Sequence, residues 1–229
     1  MLWTCKLFFQ RISLNIRFPI LFVFLLSINN TQLFANDIVE FNVTEEEGIY
    51  NIKASVILKA PADYVRAVLT DYVHIYRLNP SIIESEVLVY SGDDVARVRT
   101  KVIGCVISFC QEIERVDDVR MLASGNLQAE IVPELSQFKS GIAQWNIQSM
   151  GKISRLTYLA EMEPDFFIPP IIGISIVKDK IQEEMMTSFS RLEKIASIQS
   201  ERDWDHDRVL SNRAEKNKTR YQKIISVDR

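Results

Sequence analysis

Histidine is nearly missing from this chain: among 229 residues there are two, His74 and His206. Acid–base and nucleophilic catalysis need a base within hydrogen-bond reach of its partner, so a histidine-centred active site is a poor reading. His74, between Val73 and Ile75, reads as a packing or surface residue. His206 sits in "DWDHD", where Asp203, Asp205 and Asp207 alternate without the fixed backbone a cation site requires; no metal is expected. Cysteine is equally scarce. Cys5 lies near the N-terminus, and Cys105 and Cys110 form neither C-x-x-C nor a zinc spacing. The catalytic and phosphate-binding signatures G-x-S-x-G, H-E-x-x-H, G-x-G-x-x-G and the P-loop are absent. No cofactor is implied.

An excess of basic charge is lacking too. Residues 36–200 hold 16 basic and 24 acidic side chains, a net charge of −8. Nucleic-acid phosphates call for a basic footprint, so nucleic acid is excluded as a partner. No apolar run is long enough to span a bilayer, which takes about 20 residues. The longest is "FPILFVFLLSI", 18–28, preceded by Lys6, Arg11 and Arg17, with no acid before Asp37. Positive, then apolar, then small "LFA" at 33–35 is the order of a secretory signal. Residues 1–35 are therefore expected to be a signal cleaved after Ala35. The protein would be exported, to the periplasm if its source is bacterial. Leu33 at −3 keeps an uncleaved membrane anchor as the alternative. Export would place Cys105 and Cys110 in an oxidising compartment.

What the chain does have is strand and helix periodicity. In "GIYNIKASVILKAP" the residues Tyr50, Ile52, Ala54, Val56, Leu58 and Ala60 share one face, the signature of a half-buried strand. Pro61 then suits the first turn of a helix, in which Val65, Val68, Leu69 and Tyr72 recur at helical spacing. "YVHIYRLNP" is a second short helical turn. Strands are expected near 82–90, 94–103, 107–117, 120–131, 139–149 and 153–163, an antiparallel set. "SGDD" and "MGK" are its tight turns and "PELSQ" opens a longer loop. On the strand from 94 to 103, Ala96, Val98, Thr100 and Val102 are the expected inner face, with Arg97 and Arg99 outside.

Between this sheet and the C-terminus stands "DFFIPPIIG", 165–173, apolar and stiffened by two prolines, where an ordinary connector would be polar. Ile174, Val177, Ile181, Met185, Phe189, Leu192 and Ala196 then recur every three or four residues, an amphipathic helix over 174–196. Residues 201–229 turn polar and charge-mixed and read as a mobile tail, helical in part around 209–224. Five residues along one straight strand would separate Cys105 and Cys110 by about 16 Å, too far to bond. Across a turn they meet, and a Cys105–Cys110 disulfide is expected.

The order strand, two short helices, six strands and long helix resembles the START-like helix-grip superfamily. In detail it is similar to the polyketide cyclase/dehydrase and lipid-transport group, which includes coenzyme Q-binding START domains. The residues that carry the resemblance are "ASVILKAPADYVRAVLTDYVHIYRLNP" (54–80) and "EPDFFIPPIIGISIVKDKIQEEMMTSFSRLEKIA" (163–196). It covers roughly residues 48–198 and is specific for fold and weak for chemistry. It implies an α+β domain over 36–200, a curved antiparallel sheet wrapped around one long helix with an apolar cavity between them. In that arrangement Val177, Ile181 and Met185 would face a ligand from the helix and Trp145 and Tyr158 from the sheet. Phe167 and Ile172 would sit at the mouth. The implied function is binding, and transfer, of a hydrophobic small molecule such as a lipid or isoprenoid quinone, with transient membrane contact left open. A cyclase/dehydratase-type enzyme is the alternative, for which Tyr72, Tyr76, Arg97, Arg99, Glu112 and Tyr158 are available. A third reading is an interaction module with a filled core.

Overall fold

The computed structural model describes residues 37–91, 95–106, 109–167 and 173–227; the side chains of Asp37, Val106 and residues 207–227 are not described. The expected signal, the tip of the "SGDD" turn and residues 168–172 lie outside that description.

Strand β1 (Asp37–Glu46) is an addition to the sequence reading. Its period is interrupted by a bulge between Ile38 and Glu40, so only Val43 is deeply buried. It returns into β2 (Ile49–Leu58) through Glu47 and Gly48, at φ 53° and 86°. Two consecutive positive φ values make the twist-matched hairpin turn in which glycine is favoured. Along β2, Ile52, Ala54, Val56 and Leu58 are 6%, 1%, 0% and 0% exposed, so the alternation is realised as one buried face. Pro61 precedes α1 (Ala62–Leu69), whose Ala62, Val65, Val68 and Leu69 pack inward. A 3₁₀ segment, Tyr72–Arg77, follows.

Six further strands complete the sheet: β3 (Ile82–Ser91), β4 (Val95–Val106), β5 (Phe109–Met121), β6 (Leu127–Ile131), β7 (Phe138–Met150) and β8 (Ile153–Pro164). All neighbours are antiparallel, in the order β1-β2-β8-β7-β6-β5-β4-β3. The expected break near 118 is corrected. Asp118 does not turn the chain but bonds Arg97 on β4 through two 2.7 Å contacts, so β5 runs on to Met121. The turn comes at 122–126, where Gly125 has φ 76° and donates to Leu122 O. Bulges in β1, β3 and β7 bend the strands, and the sheet curves around the last helix.

That helix, α2 (Ile174–Val227), spans 54 residues, roughly 80 Å at 1.5 Å per residue. The expected end at 196 is corrected: no glycine or proline interrupts 174–229, and the helix passes position 200 unbroken. The stretch read as a partly helical tail is helical to Val227. Phe189, Leu192 and Ala196 are buried against α1 and β2. Polar contacts fix the docking. Buried Glu193 accepts the Lys59 N–H at 2.8 Å, Ser197 donates to Lys59 O at 2.8 Å, and Asn79 donates to Glu184 O at 3.0 Å. Among the described residues no helix is long and apolar enough to cross a membrane.

Candidate functional site

The concave face of the sheet is short of bulk. Ala129, Ala143 and Ala160 are directly paired across β6, β7 and β8, and Ala96 joins them in the same buried cluster. Ala129 lines the space between the sheet and the facing helix, where a methyl group in place of a larger side chain leaves room. A cavity of about 520 Å³ remains between them, within the 300–1,000 Å³ usual for small-molecule sites.

Its walls are the alternating inner residues of the strands. Val98, Thr100 and Val102 line it from β4, Ile113 from β5, and Leu156 and Met162 from β8. Trp145 and Tyr158, cross-strand partners on β7 and β8, stand with ring centroids 5.2 Å apart and line the same space. Val177, Ile181 and Met185 line it from α2, about one turn apart. One end is closed by Leu69, Leu127, Phe189 and Leu192. At the other end Phe109 and Phe167 line the cavity yet remain 38% and 67% exposed, so the cavity reaches solvent beside them. Phe166 is held there edge-to-face on Phe138 at 5.5 Å.

Six of the seven residues expected around a ligand therefore come together: Trp145, Tyr158, Phe167, Val177, Ile181 and Met185. Ile172 lies outside the described residues, as do Pro169, Pro170 and Ile171. Cys105 and Cys110 are cross-strand partners on β4 and β5 and form a disulfide beside Gly104 and Phe109 at the opening.

Two charged residues that the sequence reading did not single out also project inward. Arg115 and Asp117, two apart on β5 and so on one face, both line the cavity. The Arg115 Nε donates to Asp117 Oδ2 at 2.7 Å. The Arg115 side chain keeps 28% of its surface accessible and Asp117 only 7%. Carboxylate charge on Asp117 holds the Arg115 pKa above its usual value despite the opposing effect of burial. Burial raises the Tyr158 phenol, with Arg115 pulling the other way, and Tyr72, also on the cavity, is raised chiefly by burial. Burial alone would raise the Glu184 carboxyl, but hydrogen bonds from Lys180, Asn79 and Ser81 outweigh it and hold it low. The sequence did contain a signal for Arg115 and Asp117. Ile113, Arg115 and Asp117 share a side by parity already in the strand expected at 107–117.

The other residues considered for catalysis lie elsewhere. Arg97 and Arg99 are on the outer face as expected, Arg97 on Asp118 and Arg99 among Glu84, Glu86 and Glu114. Tyr76 and Glu112 are exposed. His74 bonds Asp71 at 2.7 Å on the surface, and His206 is exposed on α2.

Neither a protein-family model nor a curated protein matches this sequence. Solved structures do. A protein of Thermus thermophilus superposes with TM-score 0.53 at 18% identity, covering 66% of this chain and 99% of its own. The Zhui aromatase/cyclase of Streptomyces sp. R1128 gives 0.54 at 13% identity, covering 65% and 94%. A START superfamily protein of Mycobacterium smegmatis gives 0.52 at 17% identity, covering 64% and 97%. At such identities it is the fold that is shared: the chain has the START-like helix-grip architecture.

Proposed function

We propose that this protein binds an apolar small molecule in the cavity between sheet and α2, and carries it outside the cytoplasm. The observation that supports this is the cavity of about 520 Å³ walled by aliphatic and aromatic side chains. A filled interaction module would leave no such space between its sheet and helix. A lipid, an isoprenoid quinone or a polyketide-like compound has the shape and polarity for such a space, and one of the similar structures is an aromatase/cyclase. A cyclase- or dehydratase-type reaction would use the same cavity. Its base would be Asp117, engaged by Arg115, or Glu184, engaged by Lys180 and Ser81, and binding without chemistry is the better reading.

The test is native mass spectrometry of the mature protein purified from its own host. A co-purifying apolar mass of small-molecule size is expected, and N-terminal sequencing of the exported form should begin at Asn36. Protein that is ligand-free and fails to take up any lipid or quinone offered in vitro would refute the binding role. Retention of Met1 would refute cleavage.

A further inference from the structure

An apolar pocket for hydrocarbon alone has no need of an ion pair in its wall. The Arg115 Nε is engaged by Asp117, but among the described residues no hydrogen bond leaves its two terminal nitrogens. The Tyr158 hydroxyl likewise donates to no described residue and lines the cavity. Asp117, 5% exposed, receives no hydrogen bond from a described residue besides that from Arg115. The strand is held in place beneath them, with Thr100 donating to Arg115 O at 3.4 Å and Trp145 packed on the Tyr158 ring. Fixed donors therefore face into a space that is otherwise greasy, where an unmet hydrogen-bonding group is costly.

The charge balance narrows what can meet them. Arg115 and Asp117 cancel. The other charged pair on the cavity, Lys180 and Glu184, cancels as well, in contact at 2.8 Å, and the second Glu184 oxygen accepts from Ser81 at 3.0 Å. A carboxylate or phosphate head would leave a net negative charge in a low-dielectric pocket, which is strongly disfavoured. An uncharged head would not. A carbonyl oxygen accepts from the Arg115 terminal nitrogens or from Tyr158; a hydroxyl can accept there and donate to Asp117.

We propose that Arg115, Asp117 and Tyr158 form a polar anchor that selects an apolar ligand with an uncharged hydrogen-bonding head, a ketone, quinone or alcohol, over one with an anionic head. This rests on the cavity reading above and adds a specificity to it.

The experiment uses the mature protein and three probes of equal chain length: a long-chain fatty alcohol, the corresponding methyl ketone and the fatty acid, at a pH where the acid is ionised. Displacement of a fluorescent apolar reporter gives the affinities. Wild type is expected to bind alcohol and ketone about tenfold or more tighter than the acid. Asp117→Asn leaves the Arg115 charge uncompensated, and the order should reverse in favour of the acid. Tyr158→Phe, isosteric with the native ring, should weaken the ketone by roughly fivefold and covers the case in which Asp117→Asn does not fold. A wild type that prefers the acid, or that binds all three alike while Tyr158→Phe changes nothing, overturns the anchor and leaves the cavity standing. Failure of every probe to displace the reporter, with the reporter itself unbound, overturns the cavity and the anchor with it.

Discussion

Replacing Ile181 by tryptophan separates a binding cavity from a loosely packed core. Ile181 lies on α2, lines the cavity and is a partly buried residue packed against the alanine-rich cluster. The larger indole has about 520 Å³ of space before it, so it can extend without displacing Trp145 or Tyr158. If that space did not exist, the same change would overpack the core at a cost of about 1–3 kcal/mol. For a domain of this size each kcal/mol shifts the melting temperature by roughly 2–4 °C. A packed interior therefore predicts a fall of roughly 2–12 °C, and an open cavity predicts a shift of less than about 2 °C with stability retained. Ligand binding reports the other half, because an indole in the cavity occupies the volume a probe would fill. Titration with a fluorescent fatty-alcohol or quinone analogue should show affinity lower by about tenfold or more, equivalent to about 1.4 kcal/mol. A strongly destabilised mutant, from a wild type that binds no apolar probe, would refute the reasoning.

Two further outcomes test other parts of the structure. In denatured, unreduced protein neither Cys105 nor Cys110 should react with a thiol reagent, because they are bonded to each other; the paired Cys→Ser variant should lose less than the ~3 kcal/mol expected for a 15-residue loop, since the closed loop is much shorter. Asp118 has its pKa lowered below the usual 3.8, first by its hydrogen bond from Arg97 and further by that charge. A depressed carboxylate contributes stability above its unfolded pKa and loses it as pH falls through the folded value. Asp118→Asn should therefore be less stable than wild type at neutral pH, by a modest amount at this partly exposed pair. The two melting curves should converge below the usual aspartate range, and a gap that persists at low pH would show that the pair is not its source.

Much of this architecture was determined locally. Alternation along 50–60 and along β7 and β8 puts Val56, Leu58, Ile147 and Leu156 inside whatever their partners are, because a strand has only two faces. The three-to-four spacing of Val177, Ile181, Met185, Phe189 and Leu192 likewise selects one helix face, and the disulfide follows once a turn lies between Cys105 and Cys110. β1 was not legible, since its bulge at 38–40 breaks the period that marks a strand. Nor was the boundary of β5. Two consecutive acids resemble a turn until Arg97 on the neighbouring strand is known to pair with Asp118.

The cavity itself belongs to the tertiary structure. Val98, Ile113, Ala129, Trp145 and Tyr158 are ordinary strand residues in sequence; only the pairing of β4 to β8 and the docking of α2 bring them around one space. The anchor has the same origin. Charges on a strand are normally assigned to solvent, and it takes the curvature of the sheet over a long helix to enclose Arg115 and Asp117 with Tyr158, where low polarity gives their remaining hydrogen-bonding capacity a chemical meaning.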